Sequence, residues 1–245
     1  GGFILLGEAA GTYSMSAILA DPPSGTVVDW ALVLVLVGAL SKSAIVPLHF
    51  WLPGAMAAPT PVSAYLHAAA MVKAGVFLLL VFSPVLAGHA VWSTLLIACG
   101  LITALFGAVT ALRQHDLKGL LAYSTMSQLG LLTAAIGIGT PVALTAAIVH
   151  TVAHALFKSA LFMLIGVVDH EAGTRDLREL SGIGRRHPVL AAARTQIGEY
   201  FAGQRRVFDL PLALGGAHVD GVVAAEQVAS LDEFDAHLPR QQRVL

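Results

Sequence analysis

The sequence predicts an all-α protein, a polytopic bundle of transmembrane helices with a short polar C-terminal tail. Apolar residues make up 56% of the 245 residues and charged residues only 12%, a composition typical of membrane proteins. The apolar residues form stretches of about 20, the length that a helix needs to cross a bilayer. Charged residues are rare over residues 1–168 and more than twice as numerous in the shorter remainder.

Charge and cysteine content exclude several classes of protein. The net charge of −1 predicts no general attraction to nucleic acid. The single cysteine, Cys99, lies in an apolar run, which excludes an internal disulfide and a Cys-based zinc site, and we expect a chemically quiet residue. The chain opens within an apolar run and without Met, so we expect it to be a fragment of a longer protein.

The apolar stretches give the predicted elements in order. Residues 3–20 are apolar but short and glycine-rich, which indicates the end of a cut helix, and residues 21–25 form a loop. The prolines between residues 47 and 61 break an apolar segment, which a membrane tolerates only where the segment packs on protein or lines a wet cavity. The predicted full spans are residues 27–46, 62–82, 91–112, 119–138 and 142–168.

The basic residues predict the orientation of the bundle. Arg113 and Lys118 lie in the one charged loop before the tail, and positive residues favour the cytoplasmic side. We interpret both cations, with Asp116, as solvated loop charges. Two spans later the chain returns to the same side, where the next arginines are Arg175, Arg178, Arg185 and Arg186.

Three lysines lie inside apolar stretches: Lys42, Lys73 and Lys158. An ionisable group at the bilayer centre costs about 2.5–3.5 kcal/mol on insertion scales, so we interpret these lysines as functional protonation sites. For Lys42, near the end of its span, the alternative is a side chain that reaches the membrane interface. Lys73 lies in the middle of its span, where reaching the interface requires unusual thinning of the bilayer.

Histidines accompany two of these lysines. His150, His154 and Lys158 are spaced by four and therefore share one face of a helix. Histidine titrates near neutral pH, which suits a proton relay. A zinc pair is the alternative, but no His-Glu-x-x-His pattern is present and we predict no metal site. His67 shares a helical face with Ser63. It is either a functional histidine or a polar residue packed in the bundle with a satisfied hydrogen bond.

Four blocks of sequence resemble a known family. They are residues 41–53, 58–75, 116–130 and 150–158, the last accompanied by 169–171 and 174–176. Together they resemble the antiporter-like membrane subunits shared by respiratory complex I and the Mrp-type multisubunit Na+/H+ antiporters, over about residues 1–187. Lys73 after Met71 and Val72, with the opening at residues 6–13, makes the A subunit of the Mrp-type antiporter the most similar.

The resemblance implies a lateral chain of buried Lys, His and Glu side chains joined by water. The residues that match positions on that chain are Lys42, His67, Lys73, His150, His154 and Lys158. The family also has a carboxylate on an upstream helix that pairs with the Lys42 position, and a charged residue on a later broken helix. Both lie outside this chain.

The expected function is cation (Na+)/proton antiport by one member of a multi-pass complex in the cell inner membrane. We expect no enzyme activity, no cofactor and no nucleic-acid partner; the expected partners are other membrane subunits, Na+, H+ and lipid. One alternative is a proton-pumping subunit of complex I. An alternative of another class is an inactive truncated or fused relic.

The C-terminal part introduces a different resemblance. We divide the chain into an antiporter-like domain at 1–168, a cytoplasmic loop of the same family at 169–187 and an unrelated, weakly structured tail at 188–245. Residues 189–212 resemble the N-terminal part of methylated-DNA–protein-cysteine methyltransferases. The reactive Pro-Cys-His-Arg motif of that family is missing, so we predict that the tail repairs no DNA.

Overall fold

A computed structural model describes residues 1–86 and 90–180 of the chain. Within these residues the regular structure is helical, with one isolated bridge between Asp116 and Asp176 and no strand, and the all-α prediction is confirmed. The helix that begins at Thr60 continues through a π-helical stretch, here called the π segment, and ends at Leu86. The elements are α1 (Gly2–Ala10), α2 (Met15–Ala20), α3 (Thr26–Lys42), α4 (Trp51–Gly54), a 3₁₀ turn (Ala55–Ala57), α5 (Thr60–Val62), the π segment (Ser63–Ala70), α6 (Met71–Leu86), α7 (Ala90–Leu112), α8 (Leu117–Ile138) and α9 (Pro141–Ala172).

Four helical stretches are long and apolar enough to cross a membrane, counted over the described part of the chain: Thr60–Ser83, Val91–Leu112, Leu117–Ile138 and Pro141–Ala172. They confirm the last four predicted spans. The first predicted span, residues 27–46, is wrong in length, because α3 ends at Lys42. Helix α3 has 17 residues and is therefore about 25 Å long, shorter than the roughly 30 Å hydrocarbon core of a bilayer.

The early end of α3 has a local cause. Ala44 adopts a left-handed conformation with φ of 53°. The backbone N–H of Ile45 then donates to the Leu40 carbonyl at 2.9 Å, an arrangement that closes a helix and usually has glycine at the left-handed position. Because alanine stands there, the sequence carries no ordinary stop signal.

The other helix ends follow ordinary capping chemistry. Asp116 caps α8 by accepting a hydrogen bond from Gly119 N at 2.8 Å, and α8 ends at Gly139 with φ of 71°. Thr140 caps α9, accepting from Ala143 N at 3.3 Å, and Pro141 occupies the first helical position. Gly139 and Thr140 thus form the short connection between the spans predicted at 119–138 and 142–168.

Helices α7 and α8 pack backbone against backbone. A Cβ atom added to Gly100 would lie 2.6 Å from Ala134 N, and one added to Gly130 would lie 2.5 Å from Ala104 N. Small residues allow this close approach, which is common between membrane helices. Helix α8 is the most buried of the four membrane-length helices. Of its most apolar stretch, 78% is buried inside the protein, against 33% for the corresponding stretch of α9.

The proline-broken segment packs on protein, which is the first of the two environments predicted for it. The indole N–H of Trp51 donates to the Ser41 carbonyl at 2.9 Å, so α4 is joined to the end of α3. Val46 N donates to Thr103 Oγ1 on α7 at 2.9 Å. These contacts satisfy backbone groups that the broken helix leaves without helical partners.

The loop at 113–118 contacts the residues that follow α9. Leu117 N donates to the Arg175 carbonyl at 3.1 Å, and Leu177 N donates to the His115 carbonyl at 2.9 Å. The two loops therefore lie on one side of the bundle, as predicted; which compartment they face stays a prediction. Arg185, Arg186 and the tail at 188–245, with the predicted boundary at 187–188, lie outside the described residues.

One interpretation of this loop is wrong. Lys118 is only 3% exposed and is not a solvated loop charge. Helix α8 begins at Leu117, so Lys118 lies in the first helical turn, beneath the loop, and its Nζ donates to the Ala58 carbonyl at 2.9 Å. Arg113 is exposed, as expected.

Candidate functional site

Helix α9 carries the strongest group of candidate residues. Lys158 and His154 are completely buried, and His150 is half-buried one turn earlier. The rings of His150 and His154 stack with their centroids 6.1 Å apart. The four-residue spacing places the three side chains, here called the column, along one face of α9.

Helix α8 supplies polar partners to this column. Lys158 Nζ donates to Ser124 Oγ, and His150 Nε2 lies 2.7 Å from Gln128 Oε1. Sequence reasoning assigned no role to Ser124 or Gln128. Their spacing of four residues within an apolar span was the available signal, because it places both on one helical face.

His154 is unusual among these residues because both of its ring nitrogens are buried without a hydrogen-bond partner. Its ring makes an edge contact with Phe157, with centroids 5.2 Å apart. Leaving a buried polar group unpaired costs about 1–3 kcal/mol, so such groups in native proteins call for an explanation. His154 is therefore a candidate for a functional role.

The π segment brings a second set of polar groups against α9. Ser63 and His67 are buried, and neither Ser63 Oγ nor His67 Nδ1 has a hydrogen-bond partner. Ser159 Oγ on α9 donates to the Ala64 carbonyl at 3.3 Å. π-Helical stretches are rare and occur frequently at functional sites. Sequence reasoning placed His67 on a helix but carried no sign of the π geometry.

Lys73 belongs to the same buried region. It lies on α6, is 7% exposed, and its Nζ donates to the Ala68 carbonyl at the end of the π segment. Lys73 and Lys158 are therefore both buried lysines of membrane-length helices.

Lys42 stands apart from the other predicted residues. It is the last residue of α3 and is exposed. None of the ion pairs found in residues 1–86 and 90–180 involves it. A cation at a helix C-terminus interacts favourably with the helix dipole, which is a sufficient local reason for a lysine at this position.

No group of three or more His, Cys, Asp or Glu residues is placed to bind a metal ion within the described part of the chain. Cys99 lies on α7 and is half-buried. The titratable groups of the site are lysines and histidines, with hydroxyls and one amide as polar neighbours.

Outside the spans, the loop after α9 contains a strong local ion pair. Arg178 Nη2 lies 2.6 Å from Asp176 Oδ2, and Arg178 N donates to Asp176 Oδ1 at 2.9 Å. These hydrogen bonds favour the charged carboxylate and lower the pKa of Asp176 to about 2.

Residues 2–196 match the family described as "NADH:quinone oxidoreductase/Mrp antiporter, TM". A probable K(+)/H(+) antiporter A/B subunit of Rhizobium meliloti (strain 1021) is 53% identical over 209 residues, which are 82% of this chain and 20% of that protein. The Na(+)/H(+) antiporter A subunit of Alkalihalophilus pseudofirmus is 48% identical over 206 residues, or 77% of this chain and 26% of that protein. The chain thus spans about a fifth to a quarter of these relatives.

Two solved structures are similar in fold. A chain of the Mrp complex from Dietzia sp. DQ12-45-1b aligns with a TM-score of 0.69 and 56% identity, covering 71% of this chain and 20% of that one. A chain of the membrane-bound sulfane sulfur reductase, an archaeal respiratory membrane complex, aligns with a TM-score of 0.74 and 31% identity, covering 93% of this chain and 49% of that one.

Proposed function

The chain belongs to the NADH:quinone oxidoreductase/Mrp antiporter membrane family, and on that premise we propose that it is part of a subunit that exchanges a cation for protons. The relatives named as antiporter subunits support this function, and Na+ is the cation we propose. The protein is a transporter and not an enzyme. It works without a cofactor, among other membrane subunits of a complex in the cell inner membrane.

One observation carries the proposal: Lys158 and His154 are fully buried in an apolar bundle and lie one turn apart on α9. Burying a cation costs several kcal/mol unless it is well paired, so a structural role alone is an expensive use of lysine. A lysine that takes and releases a proton spends part of each cycle neutral. Burial of Lys158 then favours the neutral form, which is the form that can accept the next proton.

The proposed path joins the buried groups laterally. It runs through His67, Lys73, Lys158, His154 and His150, with Ser124 and Gln128 of α8 as hydrogen-bonding partners. Because like charges in a low-dielectric interior repel, a proton bound at one of these groups favours release at the next. Lys42 joins this path through a carboxylate supplied by another part of the parent protein, as the family resemblance implies.

The test uses the complete parent protein within its assembled complex. Lys158→Ala should reduce cation-driven proton flux in everted vesicles to background while the complex stays in the membrane. Arg113→Ala is the matched control, because this exposed cation lies at the end of α7 and away from the path. Transport by Lys158→Ala at the rate of the parent would show that the buried column is not a proton path.

A second candidate function is proton pumping in a complex I-type assembly. The family description includes NADH:quinone oxidoreductase, and the similar fold in an archaeal respiratory complex favours it. The two functions differ in their driving force. In proteoliposomes without an electron donor, an imposed Na+ gradient moves protons if the complex is an antiporter. Proton movement that requires electron transfer identifies a pump.

The inactive relic remains the alternative of another class. It predicts no flux from any assembled form of the chain, and the flux assay above separates it from both transport functions. The methyltransferase-like segment at 189–212 lies outside the described residues. We maintain that it accepts no methyl group, and incubation with methylguanine DNA tests this.

A further inference from the structure

Lys118 is buried but is not a member of the proposed path. It is the second residue of α8 and is 3% exposed. The N-terminal end of a helix carries the positive end of its dipole, which disfavours a cation. Lys118 is therefore unfavourable on two counts, burial and position, and contacts with its neighbours must offset both.

The neighbours provide one hydrogen bond and a balance of charges. Nζ donates to the Ala58 carbonyl at 2.9 Å. The carboxylates of Asp116 and Asp169 attract the ammonium group, whereas the guanidinium of Arg175 repels it. Arg175 is itself paired with Asp116, with Nε 3.3 Å from Oδ1. Among the described residues, the Ala58 carbonyl is the hydrogen-bond acceptor that the structure gives to Nζ.

The Ala58 carbonyl lies at the break in the backbone. Ala58 follows the 3₁₀ turn and is extended, with φ of −64° and ψ of 157°. In a continuous helix its carbonyl would accept from Val62 N, but Val62 N donates to the Pro59 carbonyl at 3.0 Å instead. Lys118 supplies the donor that the broken helix does not.

The next residues begin the helix that carries the π segment. Thr60 packs against Gly166 of α9, where an added Cβ would lie 3.0 Å from Thr60 Cγ2. The start of this helix is thus held between α8, through Lys118 and Ala58, and α9. Any shift at Ala58 changes the position of the π segment relative to α9.

We propose that Lys118 is a positioning residue: its ammonium group anchors the Ala58 carbonyl and thereby fixes the π segment, which carries His67, against α9. Lys118 acts through this backbone contact and not as a member of the path. The consequence for transport rests on the proposed function, whereas the structural effect does not.

The experiment measures both effects in the assembled complex. Lys118→Met keeps a long side chain but removes the donor, and we expect amide hydrogen exchange over residues 60–70 to rise about tenfold, the effect of losing one charge-assisted hydrogen bond. The maximal antiport rate should fall by about tenfold. Lys118→Arg keeps a charged donor and should restore both values to within about twofold of the parent. Arg113→Met, which removes an exposed cation in the loop before α8, is the matched control and should change neither.

Other outcomes overturn the inference. Unchanged exchange over residues 60–70 in Lys118→Met shows that the contact anchors nothing. A rise spread equally over α7 and α8 shows general destabilisation. Faster local exchange with a normal antiport rate shows that the π segment need not be fixed for transport. If Lys158→Ala also transports normally, the proposed function fails, while the exchange data still decide whether Lys118 anchors the segment.

Discussion

At the end of α3, Lys42 is exposed, whereas in the middle of α9 Lys158 is completely enclosed. The difference arises from the neighbours of each helix. Helix α9 lies against α8, whose Ser124 accepts a hydrogen bond from Lys158. Helix α3 ends at Lys42, and the chain leaves the helical path at Ala44, which has a positive φ. The environment of a lysine in an apolar segment is therefore set by what packs beside the segment, and not by the hydropathy of the segment itself.

The largest expected difference between the two lysines is in chemical accessibility. In the purified chain, a small amine-reactive reagent should modify Lys42 and leave Lys158 unmodified, because an amine without exposed surface reacts only after local unfolding. Peptide mass spectrometry reads out both sites. Repeating the labelling on the assembled complex sharpens the comparison, since protection of Lys42 there means that another segment covers it. Equal labelling of both lysines in the chain would contradict the described packing.

Replacement by methionine should separate the two lysines in stability. Exchanging a buried charge for an apolar side chain of similar length is often neutral or stabilising by about 1–4 kcal/mol, so Lys158→Met should unfold at the same temperature as the parent or higher. Lys42→Met should change stability by less than about 0.5 kcal/mol. Thermal unfolding of the detergent-solubilised chain measures both. A clear loss of stability in Lys158→Met would mean that the ammonium group serves the fold.

A glycine pair tests how firmly the end of α3 is held. A Cβ added to Gly75 on α6 would lie 2.3 Å from the Ala39 carbonyl oxygen, and Ser43 Oγ donates to the Val72 carbonyl at 2.9 Å. Gly75→Ala should therefore cost about 1–3 kcal/mol through overpacking. Gly38→Ala, where the added Cβ meets nothing within 4 Å, should stabilise α3 by about 0.5–1 kcal/mol. Equal effects would show that α3 and α6 are not in close contact.

The smallest effect is expected in the loop after α9. The folded pKa of Asp176, about 2, is below the usual value near 3.9, so the pair with Arg178 contributes stability above about pH 4 that is lost as pH falls towards 2. The Arg178 side chain is 67% exposed and the Asp176 side chain 27%, and ion pairs at the surface contribute little. A titration of the Asp176 carboxyl by NMR, with Arg178→Gln as the control, measures the shift. An ordinary pKa in the parent would contradict the described pair.

Much of the fold is readable from local chemistry. The ends of α8 and α9 follow from Asp116, Gly139 and Thr140, because caps and left-handed glycines act within a few residues. The end of α3 was missed because alanine occupies the position where glycine is the usual signal. The composition of the π segment does not distinguish it from an α-helix, and its contacts with α9 join residues far apart in the sequence.

The candidate site divides in the same way. The column on α9 follows from spacing alone, since His150, His154 and Lys158 share one helix. Its partners do not: Ser124 is 34 residues from Lys158, and Gln128 is 22 residues from His150. Lys118 was misplaced for the same reason, because the carbonyl it binds is 60 residues away. Periodicity identifies a face of a helix, but only the packed structure shows what lies opposite.

The backbone contact between α7 and α8 also determines which parts of the bundle are able to move. Gly100 and Gly130 interlock so closely that sliding one helix along the other would drive main-chain atoms into each other. We therefore expect this pair to behave as a stator, a fixed frame on which the π segment is held through Lys118. A cross-link between α7 and α8 should then leave antiport unaffected.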